Sequence, residues 1–101
     1  MPHEERSSDK PELKKDATQE ELKKETEKWL KRLEEATKEI KPTGKLDEKI
    51  LNDLLKNMRA YISDCYHFME KSEWVRAFEA VIYAWGIYES CLHLKLIEKK
   101  T

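Results

Sequence analysis

The sequence predicts an all-α protein: a three-helix antiparallel bundle (up-down-up) behind a disordered N-terminal tail. Three observations predict it. Apolar residues recur at helical intervals through three successive stretches. Those stretches are divided at Pro42–Gly44 and at Lys71-Ser72-Glu73. Two glycines in 101 residues leave few turn signals, and no segment alternates cleanly, so strands are not expected. The length suits one domain and is too short for two.

Charged residues make up 41% of the chain and hydrophobic residues 39%, a balance that would give disorder if the two were evenly mixed. They are segregated. Residues before Lys45 are mostly Lys, Glu and Asp, whereas Leu46 to Ile97 holds most aromatic and branched side chains, so the core is expected there. Net charge is -1 with acids and bases interleaved. No basic block of the kind that neutralises phosphates is present, which argues against nucleic-acid binding. Glu20–Lys24, Glu27–Lys31 and Glu34–Lys38 are spaced for helix-surface pairs, each contributing about 0.2–0.5 kcal/mol. Abundant Lys and Glu with a single Gln is also a thermophile-like composition. The polar start is not a signal peptide. The longest apolar run, Ala80 to Tyr88, is far short of the roughly 20 residues that span a bilayer. Cys65 and Cys91 are expected to be reduced thiols in a cytoplasmic protein.

Residues 1–17 read as a flexible polar tail whose large aliphatics are Met1 and Leu13. The domain is expected over 18–101. Helix one, about 18–41, starts at the capping box Thr18-Gln19-Glu20-Glu21. Its seam runs through Leu22, Thr26, Trp29, Leu33, Ala36 and Ile40 at 4-3-4-3-4 spacing, with Leu30 beside it; such a narrow seam touches one partner face. Pro42 and Gly44 end it. Helix two, about 47–71, is capped by Asp47, and Leu46 is placed to staple on Leu51. Its wider stripe of Ile50, Leu51, Leu54, Leu55, Met58, Tyr61, Ile62, Cys65, Phe68 and Met69 predicts two neighbours. Helix three, about 73–98, follows an N-cap at Ser72. It carries a bulky stripe (Trp74, Phe78, Val81, Trp85, Tyr88, Leu92) and a small-residue stripe (Ala77, Ala80, Ala84, Ile87, Cys91) expected to lie close against helix two. Mid-helix Gly86 costs about 1 kcal/mol relative to alanine. A close crossing, or room for a neighbouring ring, is the expected compensation.

Residues 61–94 carry a resemblance. Tyr61-Ile62-Ser63-Asp64 through Phe68, Glu70-Lys71-Ser72-Glu73-Trp74 with Ala77, and Tyr83-Ala84-Trp85-Gly86 with Leu94 together resemble an archaeal family of uncharacterised helical proteins, domain of unknown function 357. The Asp-x-x-x-Phe and Tyr-Ala-x-Gly segments are its most specific parts. This chain has Ser72-Glu73 where Gly-Asp is usual. The resemblance implies an all-helical fold and an archaeal, cytoplasmic origin. It implies no activity and no functional residues.

Candidate chemistry is sparse. Cys65-Tyr66-His67 and Cys91-Leu92-His93 invite a zinc reading, yet residues two apart on a helix point about 200° from each other, so neither pair can chelate. Buried thiols acting as small hydrophobes account for both cysteines. Tyr61, Asp64, His67 and Glu70 form an alternative polar cluster, in which Asp64 could tune His67 as a base. The His-x-x-Glu order reverses the Glu-x-x-His of dinuclear carboxylate bundles. Arg59 and His67 are too far apart for the Arg–His signature of helical nucleotide-binding and RNase-like bundles. Ser72-Glu73-Trp74 and Ala77 echo a tetratricopeptide-type turn, but one unit makes no solenoid. No metal or cofactor is expected.

The first expectation is therefore a non-enzymatic protein–protein interaction or self-association module. Its binding surface would comprise Tyr66, Trp74, Phe78, Ile82, Tyr83, Trp85 and Tyr88, and its partner would be a second copy or another protein. A small-molecule or nucleotide-handling enzyme using Asp64 and His67 is the alternative, favoured by an invaginated pocket that holds Asp64, Tyr61 and Tyr83 with convergent polar groups. An RNA-binding accessory role ranks third. Whether helix one stays on its own protomer is left open by its narrow seam and short hinge.

Overall fold

The computed structural model describes residues 10–100, with side chains from Thr18 onward. Three helices are present: α1 (Lys10–Thr37), α2 (Glu48–Glu70) and α3 (Trp74–His93). Of the expected tail, residues 1–9 lie outside the described residues, while the backbone from Lys10 is already helical. Pro11 sits in the first turn, where its missing N–H breaks no helical bond. Thr18 is therefore inside α1, and its capping box caps nothing.

Strands were not expected, but two are present. β1 (Ile40–Pro42) and β2 (Ile97–Lys99) pair antiparallel, with Ile40 opposite Lys99, Lys41 opposite Glu98 and Pro42 opposite Ile97. They replace the expected ends of helices one and three. Each strand is only three residues long, too short for a period-two pattern to emerge. The pair ties the α1–α2 link to the end of the chain. Thr43 N donates to Leu96 O at 3.1 Å, and the Thr43 hydroxyl donates to Lys95 O at 2.6 Å. Gly44, at φ 87°, makes the turn into α2.

Asp47 caps α2, its carboxylate accepting from Lys49 N and Ile50 N. The α2–α3 turn differs from expectation. Ser72 is not the N-cap; Glu73 occupies that position without a side-chain bond. Ser72 instead sits at φ 58° in the left-handed region. Its N–H donates to Met69 O at 3.0 Å and Glu73 N donates to Phe68 O at 2.9 Å, the two hydrogen bonds of a Schellman cap. Lys95 (φ 59°) repeats the geometry after α3, with Leu96 N donating to Cys91 O at 2.8 Å. A glycine suits such positions, so Ser72→Gly is expected to stabilise the chain by about 1 kcal/mol, read from the urea midpoint.

α3 is the hub, packing on both α2 and α1, whereas α2 was expected to be the helix with two neighbours. Its bulky stripe faces α1. The Trp85 and Trp29 rings meet edge-on at 5.7 Å, the Trp85 indole N–H donates to Trp29 O at 2.9 Å, and the Lys23 ammonium lies over Trp74 at 5.8 Å. The small residues Ala77, Ala80 and Ala84 are buried, and α2 lies against their side of α3, where Tyr61 stacks on Tyr83 at 5.4 Å. Overpacking there is costly, so Ala84→Leu is expected to destabilise by about 1–3 kcal/mol in a denaturant titration. Thr26, fully buried in the α1 seam, satisfies its hydroxyl on Leu22 O at 2.6 Å.

Of the expected α1 surface pairs, none forms among the described residues. Glu25–Lys28, Lys41–Glu98 and Glu73–Arg76 form instead, at 3.2, 3.9 and 3.7 Å. Exposed pairs gain little from any one geometry, so spacing alone does not select them.

Candidate functional site

Two flanks of α3 are taken by α1 and α2, and the third faces outward. Along it, Ile82, Tyr83 and Leu94 are 44%, 63% and 56% exposed, a high value for large hydrophobic side chains. Together with Leu54 of α2, Gly86, Ile87 and Leu96 they line an apolar groove of about 500 Å³. A second depression, about 430 Å³, continues it past Gly86, Glu89, Ser90, His93 and Leu94. A third, about 250 Å³, lies beyond Tyr83 and is lined by Tyr61, Asp64, Phe68, Arg76, Glu79 and Ala80. Gly86 lies where the first two meet. A Cβ built on it would meet nothing within 4 Å, so among the described residues neither a helix crossing nor a ring accounts for this glycine.

The expected interaction residues separate into two groups. Ile82 and Tyr83 are in the groove. Tyr88 is 3% exposed, its ring edge-on to Trp85 at 5.4 Å, and belongs to the core; Trp85 is covered by α1, and Trp74 and Phe78 are half-buried. Tyr66 lies between α2 and α1, donating its hydroxyl to Glu34 Oε2 at 2.7 Å. Leu54, Gly86, Ser90, Leu94 and Leu96 were not expected in a site. The 4-3-4-3 spacing of Glu79, Tyr83, Gly86, Ser90 and His93 was the signal that marks them as one helix face.

The polar cluster is divided too. Tyr61, Asp64 and Tyr83 do share a depression, with Arg76 and Glu79 at its rim, while His67 and Glu70 are outside it. Arg76 is engaged with Glu73 and lies over the Phe68 ring at 5.8 Å. Asp64 and His67 are both exposed.

Cys65 and Cys91 are buried while His67 and His93 are exposed, as helix geometry requires. Among the described residues, no group of three or more His, Cys, Asp or Glu side chains is placed to hold a metal ion. Burial, helped by the Glu34 charge, pushes the Cys65 thiol up to about 11, and burial also raises Cys91. The Glu34 hydrogen bond, then burial, pushes Tyr66 up to about 12. The Trp29 indole N–H and the Lys28 ammonium hold Glu25 below the usual carboxylate range. A folded pKa raised above the unfolded value gives stability that is full below the unfolded value and disappears as pH climbs through the folded one. For Cys65 the window is 9.0 to about 11 and for Tyr66 it is 10.0 to about 12. Urea midpoints are thus expected to fall across that alkaline range, and Glu34→Gln to flatten its upper part.

A polar depression of about 620 Å³ lies at the strand end, where Lys45, Lys95 and Lys99 surround Thr43 and Gly44 with Glu98 among them. No helix among the described residues is long and apolar enough to cross a membrane.

Comparison with known proteins places this architecture. No curated protein matches the chain. The crystal structure of a protein from Archaeoglobus fulgidus is similar, at 42% identity and a TM-score of 0.70, over 82% of this chain and 99% of that one. That protein carries the same family label as the model described as "Protein of unknown function (DUF357)", which matches residues 28–97 here and so spans the last third of α1, β1, the α2–α3 hairpin and the start of β2. The chain therefore belongs to the DUF357 family, whose function is unknown.

Proposed function

We propose that this protein is a non-enzymatic docking module that recognises a partner through the outer face of α3. One observation carries the reading: among the described residues, no helix covers a continuous apolar groove around Ile82, Tyr83, Gly86 and Leu94. On a small domain, an exposed apolar patch of this kind is a recognition surface. The Archaeoglobus relative supports an archaeal setting, and two unpaired, buried cysteines support a reducing, cytoplasmic one. A photo-crosslinking residue in place of Tyr83 or Leu94 is expected to give protein adducts in cells, and one in place of exposed Glu27 on α1 none. Adducts from Glu27 alone would contradict the reading.

The enzyme reading has one supporting observation, the depression that holds Tyr61, Asp64 and Tyr83. It has less support because His67, the proposed base, is outside. RNA binding rests on the lysines at the strand end alone.

A further inference from the structure

Building on that docking reading, we infer that the occupant of the α3 face is a second copy of this chain, its α3 antiparallel to the first and crossing it at Gly86 on a two-fold axis. Four observations converge on it. Glu79, Tyr83, Gly86, Ser90 and His93 follow the same 4-3 spacing that buries the α1 seam, so this face has the form of a helix-packing surface without a helix on it. The first two depressions along it share Gly86, Ser90 and Leu94, and Tyr83 joins the first to the third, so the three form one strip. Gly86 has open space where its side chain would be, and no contact among the described residues explains a residue that weakens its helix. A two-fold contact brings the same patch to itself, so one glycine thins both helices where they cross.

The fourth observation is charge. About an axis through Gly86, each residue n positions before it lies level with the residue n positions after it. Glu79 and His93, one heptad to either side and so within about 20° of the Gly86 face, then meet across the contact as a complementary pair. Parallel packing would set Glu79 against Glu79. Among the described residues, neither Glu79 nor His93 has an ion partner within its own chain. From Glu79 to His93 the helix rises about 21 Å, a short contact of the kind that forms weak, reversible interfaces.

Sedimentation velocity of the full chain from low to high micromolar tests this. The expected result is a concentration-dependent shift from monomer to dimer. Gly86→Leu adds a side chain in open space, so helicity by circular dichroism is expected to be unchanged while dimerisation weakens by about tenfold or more. Glu79→Arg and His93→Glu are each expected to weaken dimerisation, and the double variant to recover it. A wild-type chain that stays monomeric overturns the inference, as does dimerisation indifferent to Gly86→Leu or a double variant that does not recover. A monomer whose Tyr83 position crosslinks to a different protein overturns the inference but leaves the docking reading standing. A monomer with no groove adduct overturns both.

Discussion

Trp85→Ala is expected to lower the unfolding free energy by about 3–5 kcal/mol, the cost of deleting a large aromatic from a packed site. Trp85 is where α1 is held to the hairpin. Its ring is edge-on to both Trp29 and Tyr88, and its indole N–H donates across to the α1 backbone at Trp29 O. Because α1 packs chiefly on α3, removal of this one ring takes away contact that nothing else replaces. Amides of α1 are therefore expected to exchange hydrogen faster than those of α2, since local opening follows the loss of buried contacts. Trp85→Phe keeps a ring but drops the N–H; the Trp29 carbonyl retains its helical partner, so about 1 kcal/mol is expected. Equal losses for the two variants, read by denaturant titration, would mean that the hydrogen bond and not the ring holds α1.

Ile97→Ala is the second large effect, expected at about 2–5 kcal/mol. Ile97 is 2% exposed and lies in β2 opposite Pro42, three residues beyond an exposed Leu94. Its side chain belongs to the core cluster with Leu30, Leu33 and Tyr88. The loss should come with fraying of both strands, because among the described residues β1 pairs with β2 alone. Leu94→Ala, 56% exposed, is the contrast: its effect on stability is expected within about 0.5 kcal/mol. Comparable urea midpoints for the two variants would show that the strand pair does not close the core.

The core was legible because periodicity reports it. Leu30, Leu33, Leu51, Leu55, Met58, Cys65, Ala77, Ala80, Val81, Ala84 and Cys91 are all buried, and each falls on a stripe that the helical period marks out. The Asp47 cap was legible for the same local reason. What was hidden depends on distant parts of the chain. β1 and β2 lie at opposite ends of the helical hairpin's sequence and meet only in the fold; three-residue strands take their identity from the partner, and neither announces it alone. Lys10 begins α1 although the composition there reads as tail, because a helix stabilised further along extends through charged residues at little cost. The site divided in the same way. A bulky stripe on α3 was visible, but which of its rings α1 would cover was not, so Tyr88 and Trp85 were grouped with Ile82 and Tyr83. Gly86 was noticed as costly; only the three-dimensional structure shows the open space beside it.

Hydroxyl-radical footprinting of the full chain, from low to high micromolar, tests most directly whether α3 presents a third face that a second copy covers. At low concentration Ile82, Tyr83 and Leu94 should be modified quickly, and Tyr88 and Met58 slowly; raising the concentration should then protect the first three alone. Rapid modification of Tyr88 and Met58 in the dilute chain, or protection that falls on α1 instead, would contradict the account.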